Sequence, residues 1–163
     1  TGFAGILGYR TQHDSPNRDE EIEKVKPVVA ALKEKGWTFG THSYGHRHTD
    51  KMEFSLLQDD TQKVLDEVVP LVGDIDVYYY PYGASVKPGS EKHDYLVSKG
   101  FKMFCGVGGK PFFREDGNAV FMDRQVLDGY SVRHYQETFA GFLDVDSIID
   151  TEWRSKKELA PYN

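Results

Sequence analysis

The sequence predicts an α/β fold, a mostly parallel sheet with helices packed outside it. Two observations predict it. Three stretches, over residues 17–45, 54–83 and 90–109, repeat one order: helix, small-residue stop, apolar strand, glycine-rich turn. Crossover connections of that kind make successive strands run the same way. The chain has 163 residues, 39% of them hydrophobic and 13% aromatic, which fits one domain with a core of its own.

In the first unit, Asn17 with Glu20 resembles a capping box, and Ser15-Pro16 offers an alternative start. Val25, Val28, Val29 and Leu32 share one helical face. Pro27 predicts a kink or a restart, and Gly36 a stop. Trp37-Thr38-Phe39 then reads as a buried strand running into Gly40-Thr41-His42-Ser43-Tyr44-Gly45-His46. In the second unit Leu57, Thr61, Val64, Leu65 and Val68 keep helical spacing up to Gly73. Val77-Tyr78-Tyr79-Tyr80 is the strand, with Tyr79 on the face opposite Tyr78 and Tyr80, and Pro81-Tyr82-Gly83 is its turn. In the third, Tyr95 and Leu96 mark the helix, Phe101-Lys102-Met103-Phe104 the strand, and Gly106 to Gly109 the turn. Val120-Phe121-Met122-Asp123-Arg124 is a further strand after the turn Asp116-Gly117-Asn118. A weaker helix follows, then a polar tail over residues 155–163 that reads as frayed.

Parallel strands bring His42, His46, Tyr82 and Gly106 to the same end of the sheet, where α/β enzymes keep their chemistry. Neutral imidazole is the commonest side-chain metal ligand, so His42 and His46 are candidate ligands of a divalent metal, zinc in the first instance. A catalytic zinc normally has three protein ligands and a water. Candidate carboxylates are Asp14, Asp19 and Asp50, with Asp14 set beside the two histidines as third ligand, and His48 alternates with His46. Ser43 is a candidate for orienting a ligand from behind it. Tyr82 offers a turn N–H suited to an oxyanion.

Other classes are disfavoured. A net charge of −6 without a basic cluster argues against nucleic acid. The single cysteine, Cys105, excludes an internal disulfide and a multi-cysteine zinc site, and its flanks read as a packed strand end. No apolar run approaches the roughly 20 residues of a bilayer span. A first residue of Thr1 suggests a processed chain or a part of a longer one.

His42-Ser43-Tyr44-Gly45-His46 resembles the H-[S/T]-x-x-H motif of the polysaccharide deacetylases, the carbohydrate esterase family four enzymes related to chitooligosaccharide deacetylase. Residues 32–40 resemble the helix and strand before that motif, Pro81-Tyr82-Gly83 is similar to the family's R-x-P-Y-G turn, and residues 121–126 resemble a late strand that often carries an arginine. The resemblance implies a distorted, incomplete (β/α) barrel. It implies a metal held by an aspartate and two histidines, activating water against the carbonyl of an N-acetyl or O-acetyl group on a polysaccharide or oligosaccharide. It also implies an extracytoplasmic setting, secreted or in the cell envelope.

The departures matter. The family's T-F-D-D strand has no counterpart; Asp59-Asp60 lies in a helical pattern and does not qualify. Residues 1–10 resemble the family's second strand, which implies that the first is missing, that deacetylase turnover by this chain alone is weak, and that residues 3–7 form an open apolar edge prone to self-association or to cover by another part of the chain. Tyr79 stands where the family has arginine, with Arg124 as a spatial substitute. His134, in Val132-Arg133-His134-Tyr135, is a loose match to the family's general acid. Two other readings stay open: a degenerate barrel that binds glycan without hydrolysing it, and a zinc hydrolase of another amide or ester.

Overall fold

The computed structural model describes residues 1–110, 112–141, 143, 144 and 147; the polar tail over 155–163 lies outside them. Helix α1 (Arg18–Glu34) starts from Asn17, whose side chain makes no capping bond, so the expected capping box does not form. It runs through Pro27 as one helix. Pro27 and Glu23 are both exposed, so the carbonyl that loses its N–H partner at the proline can turn to water. Val25 and Val29 are buried. The helix ends in a Schellman arrangement: Gly36 (φ 82°) donates to Lys33, and Trp37 to Leu32.

The second helical stretch comprises α2 (Phe54–Lys63), a π-helical turn (Val64–Val68) and α3 (Val69–Val72), closed by Gly73 with φ 82°. Pro70 lacks an N–H and crowds the carbonyl of Asp66; the wide turn just before it accommodates that ring. Strand β1 (Val77–Tyr79) follows, then α4 (Glu91–Ser98), capped by the Ser90 hydroxyl, then β2 (Met103–Val107). Strands β3 (Phe112–Asp116) and β4 (Ala119–Arg124) form a hairpin, and α5 (Gly129–His134) and α6 (Gln136–Phe139) come last. No helix among the described residues is long and apolar enough to cross a membrane.

The sheet order is β1-β2-β4-β3. Strands β1, β2 and β4 are parallel, with Tyr78 beside Phe104 and Phe104 beside Phe121, while β3 is antiparallel to β4. Tyr78 and Tyr80 are buried and Tyr79 is half-buried, as strand alternation requires. Their rings join a file: Tyr80, Phe104 and Phe121 stack at centroid spacings of 6.1 and 5.6 Å. Leu57, Val25, Val64 and Leu96 pack around it.

Two expectations fail locally. Trp37-Thr38-Phe39 is not a buried strand: Trp37 is 65% exposed, and only Thr41 bridges β1, opposite Tyr78. Residues 3–7 are not an edge strand. Gly2–Ala4 is a 3-10 turn, and Ile6 pairs with Tyr9 across Leu7 and Gly8, both at positive φ, a tight local hairpin. The ground for self-association through an edge there therefore falls away. The α/β architecture with a mostly parallel sheet is as expected: the described sheet is an open one of four strands, three of them parallel.

Candidate active site

The loop after Thr41 is tied down at its start and in its middle. Thr41 donates to the Val77 carbonyl at 2.9 Å and accepts from the Tyr79 N–H at 2.7 Å. Gly40 lies so close to Tyr79 that a Cβ would meet its ring at 2.5 Å, which explains a glycine there. In mid-loop the Asp60 carboxylate of α2 accepts from the N–H groups of Tyr44 (2.8 Å) and Gly45 (2.7 Å). The Tyr44 hydroxyl donates to Glu67 at 2.7 Å, and burial together with that carboxylate pushes the phenol well above its usual pKa, keeping it a neutral donor.

His42 Nδ1 lies 2.8 Å from the Tyr79 carbonyl oxygen. A carbonyl can only accept, so Nδ1 carries the hydrogen and Nε2 keeps its lone pair. Burial lowers the His42 pKa, the Tyr79 carbonyl works against that, and the neighbouring His46 and Arg124 lower it further. A neutral imidazole of fixed tautomer is the state in which histidine ligates a cation or accepts a proton. The His46 ring sits 4.8 Å from that of His42, and its Nδ1 is 3.2 Å from the Tyr82 hydroxyl. His48 stacks flat on Tyr82 at 4.3 Å. Tyr82 is 63% exposed, so this row of rings opens to solvent.

The strand-end placement expected for Tyr82 therefore holds: it shares a rim with His42 and His46. Gly83 presses the turn against β2, where a Cβ would come within 2.9 Å of Val107. Arg124, at the end of β4, donates to the carbonyls of Gly106 (3.2 Å) and Tyr80 (3.1 Å) and lies over the Tyr79 ring, 5.4 Å from its centroid. It thus reaches the Tyr79 ring from β4, across the intervening β2. Non-glycine residues of left-handed backbone gather here: of four such residues described, Ser43, His46 and Tyr82 belong to this rim, and Leu7 to the amino-terminal turn. Such strain collects at functional sites.

Other candidates do not join it. Asp14 is exposed, in a depression with Phe3, His13, Tyr44, Lys63 and Glu67. Among the described residues no three His, Cys, Asp or Glu side chains converge as a metal site, so Asp14 is not brought in as third ligand. The Asp19 side chain is 99% exposed beside Arg18, and Asp50 lies 3.9 Å from His48. Ser43 is fully buried, but its hydroxyl makes no hydrogen bond among the described residues, to either histidine included. His134 ends α5 and packs on Tyr130 at 4.2 Å. A depression of about 520 Å³ lined by Lys33, Trp37, Asp76 and Lys102 lies at the amino ends of β1 and β2, away from the imidazoles.

Asp60 is the residue that sequence reasoning missed. The signal was present: with Leu57, Thr61 and Val64 it falls on the buried face of the helix, and an acid on an apolar stripe calls for partners.

No family model matches the sequence, and no curated protein matches it. Among solved structures the chain is similar to a protein described as a polysaccharide deacetylase from Mycobacterium smegmatis, with a TM-score of 0.47 and 12% identity over 71% of this chain and 41% of that one. It is similar to PuuE allantoinase, with a TM-score of 0.43 and 16% identity over 69% and 38%. A protein described as a polysaccharide deacetylase from Pseudomonas aeruginosa gives a TM-score of 0.42 and 15% identity over the same shares, 69% and 38%. The chain thus spans about two-fifths of the length of these structures.

Proposed function

We propose that the rim of His42, His46 and Tyr82 is a hydrolytic site for acetyl groups on a polysaccharide or oligosaccharide, working with a divalent cation, zinc by preference. The observation that carries this reading is the His42 contact: Nδ1–H bound to Tyr79 at 2.8 Å leaves Nε2 as a lone-pair donor beside a second imidazole. A cation there would supply Lewis-acid activation of water or carbonyl. The fit is partial. Two imidazoles fall short of the three protein ligands usual for catalytic zinc, and Asp14 does not complete them. His42 and His46 would hold the ion, Tyr82 would border the acetyl group, and Arg124 would fix the strand ends behind them. An acetylated polymer as substrate puts the protein outside the cytoplasm, which cell fractionation would test.

The short donor set supports a second reading, a rim that binds acetylated glycan without turning it over. One experiment separates the two. The chain is titrated with Zn²⁺ by calorimetry, alone and as His42→Ala and His46→Ala, and acetate release from an N-acetylated chitooligomer is followed with the ion present. Zinc binding lost in both variants, with acetate released by the parent, supports hydrolysis. Oligomer binding without acetate release supports the second reading. Zinc binding unchanged in both variants would refute the metal assignment.

A further inference from the structure

We propose that Asp60 is the positioning residue of this rim: by gripping the N–H groups of Tyr44 and Gly45 it sets the His46 imidazole against His42 and Tyr82. The consequence for cation binding rests on the proposed function above; the consequence for imidazole geometry does not.

Asp60 is only 6% exposed, and none of the described ion pairs includes it. A carboxylate that deep must be satisfied by donors. It finds them in two consecutive backbone N–H groups, one on each oxygen. Those two residues lie between Ser43 (φ 55°) and His46 (φ 50°), both left-handed. A loop with two such residues relaxes unless its surroundings over-determine it. The clamp provides that determination from a firm base, because Leu57, Thr61 and Val64 hold the same face of the helix in the core. Gly45 permits it: a Cβ there would stand 3.0 Å from Asp60 Oδ1 and 3.1 Å from Arg47 Nε.

The clamp acts on one histidine and not the other. His42 is oriented by the Tyr79 carbonyl at the strand end and owes nothing directly to Asp60. His46 follows Gly45 immediately, and its contacts to Tyr82 depend on the course of the loop.

Long-range ¹H–¹⁵N NMR of the metal-free chain reads both rings. In Asp60→Asn one oxygen becomes an NH₂ group facing a backbone N–H. The His46 signals should shift or broaden as its contact with Tyr82 loosens, while His42 keeps its Nδ1–H pattern. Zinc affinity should fall by about tenfold or more, as for other groups that orient a ligand from behind. An unchanged His46 spectrum in a folded Asp60→Asn variant overturns the proposal. If that variant does not fold, Gly45→Ala, which keeps the carboxylate but crowds it, should give the same response confined to His46; a folded Gly45→Ala with an unchanged His46 spectrum overturns the proposal equally. Failure of the parent chain to bind zinc would sink the metal reading and leave the imidazole test standing.

Discussion

The histidine loop and the hairpin between β3 and β4 both need left-handed backbone, and they obtain it from different residues. The hairpin uses Gly117, at φ 59°. The histidine loop uses Ser43 and His46, and the facing turn uses Tyr82, all carrying side chains. A non-glycine residue in this region costs roughly 1–2 kcal/mol. The hairpin is therefore built for turning, and the loop for what its side chains present. The stability that carries the strain comes from elsewhere: the aromatic file through Tyr80, Phe104 and Phe121, and the tethers at Thr41 and Asp60.

The largest effect is expected from the core that carries the loop. Phe104 is 1% exposed and stacked between Tyr80 and Phe121. Phe104→Ala should lose about 3–5 kcal/mol of stability in urea denaturation. The folded fraction should keep the His42 and His46 ring signals of the parent. A loss below roughly 1 kcal/mol would mean that the aromatic file is not the support supposed here.

A smaller effect tests the strain itself. Position 46 should prefer glycine to alanine by about 1 kcal/mol, because glycine escapes the left-handed penalty while adding part of it back in chain entropy. His46→Gly and His46→Ala lose the same ring, so their difference in urea midpoint isolates the backbone. Gly117→Ala in the hairpin should fall by a similar amount. Equal stability of the two position-46 variants would show that the loop is unstrained and that the contrast with the hairpin is empty.

These contrasts also explain what the sequence could disclose. Strands β1, β2 and β4 were legible because apolar runs follow a helix stop or, for β4, a turn. Strand β1 alternates as a half-buried sheet requires, with Tyr78 and Tyr80 in and Tyr79 half-buried. Strand β2 is displaced from the expected 101–104 to Met103–Val107 and takes in Gly106, expected as turn. The rim was legible because parallel strands end together. Strand β3 was not, since its five residues are all exposed and carry no alternation; only its turn, Asp116-Gly117-Asn118, spoke for it. Residues 3–7 misled through their apolar content, when the deciding feature is the Leu7-Gly8 reversal. Trp37-Thr38-Phe39 misled in the same way: composition gives a strand, but Thr41 is the residue that reaches the ladder. Asp60 needed a question that periodicity alone does not ask, namely what a buried acid binds.

The smallest effect separates the two histidines by pH. Burial lowers the pKa of His42 in the folded chain. The unfolded value is about 6.5. Above that pH the ring is neutral in both states, and its contribution to stability is complete. As pH falls below it, the unfolded chain takes up the proton first, so stability is lost progressively down through the lower, folded pKa. His42→Asn retains an amide donor for the Tyr79 carbonyl and does not titrate. In chelated buffer, stability measured from pH 7.5 downward should fall less steeply in this variant than in the parent; carboxylate protonation acts on both and cancels in the difference. Identical slopes would mean that the His42 ring is as solvated when folded as when unfolded, and that burial does not outweigh the Tyr79 carbonyl in keeping it neutral.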